Sequence, residues 1–100
     1  MRKQIKASAL REFDAAEYLE DDQAIAEYLN AVLAENDPPL LAAALGDIAR
    51  AKGMSAIARD AGIGREALYK ALRPGSQPRF DTVQRVCSAL GIKLTAMPAH

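Results

Sequence analysis

Met54-Ser55-Ala56-Ile57-Ala58-Arg59-Asp60-Ala61-Gly62-Ile63-Gly64-Arg65-Glu66-Ala67-Leu68-Tyr69-Lys70-Ala71-Leu72-Arg73 reads as two short helices joined by a tight turn. Two short helices cross closely only where the first offers a small side chain, and Ala58 stands at that position. Four residues later Gly62 supplies the tolerance of positive φ that ends the first helix. Ile57, Ala61, Ile63, Leu68, Ala71 and Leu72 fall on inward positions, which leaves Arg65, Glu66, Tyr69, Lys70 and Arg73 outward on the second helix. A polar, basic face bearing one aromatic suits a helix lying in a DNA major groove. A structural helical hairpin shares part of this pattern. The helix-turn-helix reading over 54–73 therefore needs support from the rest of the chain.

Outward from this core, the 100 residues suffice for one modest hydrophobic core. Half of them are hydrophobic but none is Trp, so the core must rest on Leu, Ile, Val and Ala, a composition that favours close-packed helices. The single Cys87 excludes an intramolecular disulfide, and its helical apolar setting predicts an inert core thiol. No apolar run is long enough to span a bilayer, and no signal-peptide stretch follows the basic start Met1-Arg2-Lys3-Gln4-Ile5-Lys6. A cytoplasmic protein is expected.

The zero net charge hides a division. Residues 1–38 hold four bases and nine acids, and residues 39–100 hold nine bases and four acids. A basic half suits a polyanion such as DNA. An acidic half suits a basic protein partner, unless both halves are ordinary solvated helix faces.

Three further stretches organise the chain. Residues 1–20 form an arm in which Phe13-Asp14-Ala15-Ala16-Glu17-Tyr18-Leu19 has the pattern of a capped helical turn, with Asp14 and Glu17 as the capping pair. Residues 21–94 form the helical domain. A helix begins at Asp21 or Asp22, carries the stripe Ile25, Tyr28, Leu29, Val32 and Leu33, and stops near Asn36. The next starts with Asp37 as N-cap and Pro38 in its first turn, buries Leu41, Leu45 and Ile48, and ends at Gly53. Beyond the polar turn at 73–78, Asp81 and Gln84 predict a capping box for a last helix that buries Val83, Val86, Cys87 and Leu90 and stops at Gly91. Residues 92–97 alternate apolar with polar, the pattern of a short edge strand able to pair across a dimer, and 95–100 close the chain as a tail.

Each site residue has two readings. Gly64 caps the second helix without a side-chain oxygen and leaves its amides open to a phosphate. Arg65 reaches a guanine or a phosphate; Lys70 and Arg73 suit the phosphate backbone. Tyr69 either meets DNA or is a half-buried structural residue. Glu66 either accepts from cytosine or pairs with Lys70. Arg59 and Arg79 are phosphate clamps or solvated arginines. Tyr18, Leu19, Tyr28 and Leu29 are core if the second helix docks on the DNA-binding domain and anchors for a partner's groove if the N-terminal segment is a detachable arm. Tyr28 and Leu29 are read as core, and Phe13, Asp14, Glu17, Tyr18 and Leu19 as contacts to a protein partner. Catalysis finds no support: the lone His100 is terminal, and the sequence has no nucleophile–base pair, metal-ligand cluster or phosphate-cradling loop. Neither a cofactor nor a metal is expected.

The runs Ala61–Leu72, Pro78-Arg79-Phe80-Asp81-Thr82-Val83 and Ala89-Leu90-Gly91-Ile92-Lys93-Leu94, with Phe13–Leu19 before them, resemble the addiction-module antidote proteins, HigA-like antitoxins of type II toxin–antitoxin systems. The similarity covers about residues 13–94. It implies an all-α, lambda-repressor-like five-helix fold, usually dimeric, a cognate toxin of the RelE/ParE superfamily, and repression of the antitoxin's own operon. It does not assign the toxin-binding residues. The competing readings are a phage-type repressor with no toxin and a protein-interaction module that no longer binds DNA.

Overall fold

A computed structural model describes residues 21–99, and among them the chain is all-helical. Five helices follow in order: α1 Asp22–Leu33, α2 Pro38–Lys52, α3 Met54–Ala61, α4 Arg65–Ala71 and α5 Phe80–Ala89. The expected helical turn at 13–19 lies outside the described residues.

Local chemistry sets most of the boundaries. The Asp21 carboxylate accepts from the Ala24 amide at 2.7 Å and caps α1. Asn36, with φ 55°, turns the chain after α1. Asp37 then caps α2 through the Leu40 amide at 3.3 Å, with proline in the first turn. The start of α5 departs from expectation. Arg79, not Asp81, is its N-cap, with no side-chain capping bond. The helix begins earlier because the Arg79 carbonyl already accepts from Val83, and the Asp81 carboxylate lies beside Arg79 Nε at 3.5 Å. Asp81 thus sits in the first turn, favourable to the helix dipole but not a cap.

Every helix contributes to one core. Ile25, Val32, Leu45, Ile48, Leu68 and Val86 are fully buried within it. Tyr28 and Leu29 are buried as expected, but Leu33 is 39% exposed and does not complete the α1 stripe. On α2, Leu40 takes the buried position, while Leu41 is only partly buried and packs against the core. Cys87 is buried, and desolvation pushes its thiol pKa up, so it remains a protonated core group.

Helix α5 packs chiefly on α3, which also meets α2 and α4, while α1 packs on α2. Gly46 on α2 permits one especially close approach. A Cβ there would lie 3.0 Å from the Leu72 carbonyl oxygen at the end of α4.

The strand expected at 92–97 does not form, and none occurs among the described residues. Leu94 packs against the core instead. An alternating segment becomes a strand only when a neighbouring backbone takes its hydrogen bonds, and no strand lies beside it here.

Candidate nucleic-acid interface

The geometry of α3 and α4 starts at Gly62. With φ 71° it is left-handed, and the Ile63 amide donates back to the Ala58 carbonyl at 3.0 Å while the Gly62 amide donates to Arg59 at 3.2 Å. These two bonds form a Schellman closure, which satisfies carbonyls at the end of α3 and redirects the chain within one residue. Ala58 is buried, the small side chain that close packing of α3 requires. Gly64 then adopts extended backbone, φ −61° and ψ 145°, and its carbonyl accepts from Leu68 to start α4. Gly64 makes no side-chain cap, as its composition dictates.

Only Leu68 and Leu72 hold this short second helix firmly to the core, at 0% and 1% exposure. The separation of four positions puts both on one side. Arg65, Glu66, Ala67, Tyr69 and Lys70 are exposed on the rest of the helix surface; Arg73, expected on the helix, is exposed in the turn just past its end. Two of these side chains meet. Arg65 Nη2 donates to the Tyr69 hydroxyl at 3.4 Å, and its guanidinium carbon lies 5.4 Å from the Tyr69 ring centroid. Cation–π contact at an exposed site contributes about 0.5–1 kcal/mol and narrows the directions available to the guanidinium. Tyr69 is therefore no core residue: it is 41% exposed and packs with Arg65.

The remaining basic groups are spread around this pair. Arg59 lies at the end of α3, 3.4 Å through Nε from Asp60, and Arg79 precedes α5 beside Asp81. Both pairs are well exposed and contribute little to stability, so their guanidinium groups are available for exchange with another anion. Glu66 and Lys70 form no ion pair in this arrangement. The structure thus joins Arg65 to Tyr69 and leaves two separate cations, Lys70 on the same short helix and Arg73 in the turn just beyond its end.

Two side chains that position this surface escape sequence reasoning. Arg85 Nη1 on α5 donates to the Gly62 carbonyl at 3.4 Å and ties the turn to the last helix. Arg85 in sequence is one more base on an amphipathic helix, and a backbone acceptor 23 positions away has no sequence signature. Ser76 Oγ lies 2.7 Å from the Ala71 carbonyl and 2.8 Å from that of Arg73, sharing one proton between them. It therefore closes the end of α4, where the sequence reads only as a polar turn.

Among the described residues no cluster of His, Cys, Asp and Glu could hold a metal ion. No helix there is long and apolar enough to cross a membrane. Phe13, Asp14, Glu17, Tyr18 and Leu19 lie outside the described residues.

Comparison with known proteins adds what geometry alone does not. A family model described as "Probable addiction module antidote protein" matches residues 9–98. The chain belongs to this antidote family. An "Uncharacterized protein" of Haemophilus influenzae is 52% identical to this chain over 84 residues, covering 84% of this chain and 87% of the relative. No solved structure matches. An antidote implies a toxin for it to counter, so the family match supports a toxin partner in general.

Proposed function

We propose that the chain is an antitoxin with two binding tasks: it neutralises a toxin of the RelE/ParE superfamily and represses its own operon by binding operator DNA. The observation that carries the DNA half is the outward surface of α4. There Arg65, Tyr69 and Lys70 stand exposed on a helix anchored from behind by Leu68 and Leu72, with Arg73 exposed just past its end. As a helix-turn-helix, α4 enters the major groove, with Arg65 toward guanine and Glu66 toward cytosine. Lys70, Arg73, Arg59 and Arg79 then meet phosphates around it, fixing register without reading sequence. The paired Tyr69 limits the directions in which Arg65 can point.

The toxin half rests on family membership and on charge. Residues 1–38 carry nine acids against four bases, a balance that attracts a basic protein. Phe13, Tyr18 and Leu19 act as apolar anchors in this reading, with Asp14 and Glu17 at the rim. The two tasks fall on different parts of the chain, a division that a deletion can test. Removing residues 1–20 should leave operator binding intact by gel shift and abolish rescue of growth when the chain is co-expressed with the product of the adjacent reading frame. Retained rescue together with lost DNA binding would reverse the assignment.

A further inference from the structure

The turn between α3 and α4 is bare on its outer side. Gly62 and Gly64 carry no side chains, and Ile63 between them packs against the core. A Cβ at Gly64 would meet nothing within 4 Å, and one at Gly62 would meet only Arg85, whose Nη1 would lie 3.8 Å away. Backbone this open lets a ligand approach closely. Arg59 stands three positions before Gly62 and Arg65 three after it. With Arg85, the bare turn is therefore flanked by arginines from α3, α4 and α5, against the acids Asp60 and Glu66.

Arg85 is held differently from the other arginines near the α4 surface. It is exposed on α5, and its Nη1 donates to the Gly62 carbonyl at 3.4 Å. A carbonyl acceptor is neutral, so it orients the guanidinium without cancelling its charge. Arg59 and Arg79 each lie beside an aspartate that an incoming phosphate would have to displace. Arg85 forms no ion pair among the described residues. Its Nε and Nη2 donors are left for another acceptor. A planar fork already oriented in this way loses less freedom when it binds an anion than a free lysine does. In a helix-turn-helix, the N-terminal residues of the second helix meet the base edges, and the DNA backbone runs past the elements around them. The Gly62 turn leads into that end of α4, so a cation fixed on its carbonyl stands where phosphates pass.

We propose that Arg85 binds a DNA phosphate, anchored through Nη1 on the Gly62 carbonyl while Nε and Nη2 donate to the phosphate oxygens. This contact rests on the DNA reading of α4 and deepens it. It brings the last helix onto the DNA backbone and fixes register without reading sequence.

Salt-series binding of the full chain to its upstream DNA and to an unrelated duplex of equal length tests it, with Arg85→Gln, Arg85→Ala and Arg85→Lys. Glutamine keeps an N–H for the Gly62 carbonyl and removes the charge, so it separates a phosphate contact from a tie to the turn. Arg85→Gln should weaken binding to both duplexes about eightfold at 0.1 M salt, the factor that a slope of 0.9 gives between 0.1 M and 1 M. Its salt slope should fall by about 0.9, the value for one phosphate. Arg85→Ala should lose at least as much, and Arg85→Lys, which keeps the charge, should keep the native slope. Helical circular dichroism should be retained in all three because the residue is exposed. Arg85→Gln as tight as the native chain would overturn the contact, and so would a loss confined to the upstream DNA with the native slope kept; either result leaves Arg85 as a tie to the turn alone. A native chain that binds neither duplex would overturn the reading of α4 and this contact with it, whereas native binding with Arg85→Gln unaffected removes this contact only.

Discussion

Helices α3 and α5 end in the same way, yet the chain beyond them does opposite things. Gly62 and Gly91 both take positive φ, and each is followed by an isoleucine whose amide donates five residues back, Ile63 to Ala58 at 3.0 Å and Ile92 to Cys87 at 2.8 Å. After the first closure a new helix starts within two residues. After the second, no regular element follows among the described residues. The closure ends a helix; the residues beyond it decide what comes next. Following Gly62, Leu68 and Leu72 lie four apart and are both buried, so a helix yields one firmly held face. Following Gly91, Leu94 has Pro98 four positions on, which cannot sit in a helix interior, and Met97 before it is biased toward extended backbone.

The largest contrast should come from the two leucines. Leu68→Ala removes a fully buried anchor and should cost about 2–5 kcal/mol, lowering the melting temperature on the order of 10 °C or more. Leu94→Ala, half-buried in the tail, should cost less than about 1 kcal/mol in the same thermal melt. Equal losses would mean that the tail is as firmly packed as α4. A smaller effect separates the two glycines by function instead of stability. Gly62→Ala and Gly91→Ala each force a Cβ into left-handed backbone and should cost roughly 1–2 kcal/mol in chemical denaturation. Only Gly62→Ala should also impair operator binding, because only its closure aims α4; equal impairment by Gly91→Ala would contradict that. The smallest change is at Gly64, whose extended backbone suits any residue and whose Cβ would meet nothing within 4 Å. Gly64→Ser should add a few tenths of a kcal/mol by supplying the missing cap oxygen, read as a raised denaturation midpoint.

Much of the helical order was legible because it rests on local chemistry. Asp21, Asp37 with its prolines, and Gly62 announce their boundaries through groups within four residues of each other. The stripe Val83, Val86, Cys87 and Leu90 was legible from spacing alone. The capping box at Asp81 failed because two residues at the correct spacing do not show which backbone carbonyl starts the helix. The strand at 92–97 failed because alternation describes one edge, and pairing needs two. Leu33 failed because its periodicity is right but an open groove lies beside it.

In the candidate site, the outward identity of Arg65, Glu66, Tyr69 and Lys70 followed from helical period, whereas Arg73 falls in the turn past the end of α4. Their arrangement did not. Stacking of Arg65 on Tyr69, the Arg85 bond to Gly62 and the Ser76 closure of α4 depend on side-chain direction or on contacts between distant positions. Gly46 belongs with them: the sequence shows a glycine within a helix, and only packing shows the Leu72 carbonyl it accommodates.

The most direct measurement is the affinity of the full chain for its upstream DNA by fluorescence anisotropy over a series of salt concentrations, with Arg65→Ala alongside. Logarithmic affinity should fall linearly with logarithmic salt, by about 0.9 per phosphate contacted. Arg65→Ala should lose roughly 1–3 kcal/mol of operator binding, the worth of a bidentate base contact, while keeping its fold. Binding that ignores salt, with Arg65→Ala as tight as the native chain, would contradict the assignment of the α4 surface to DNA.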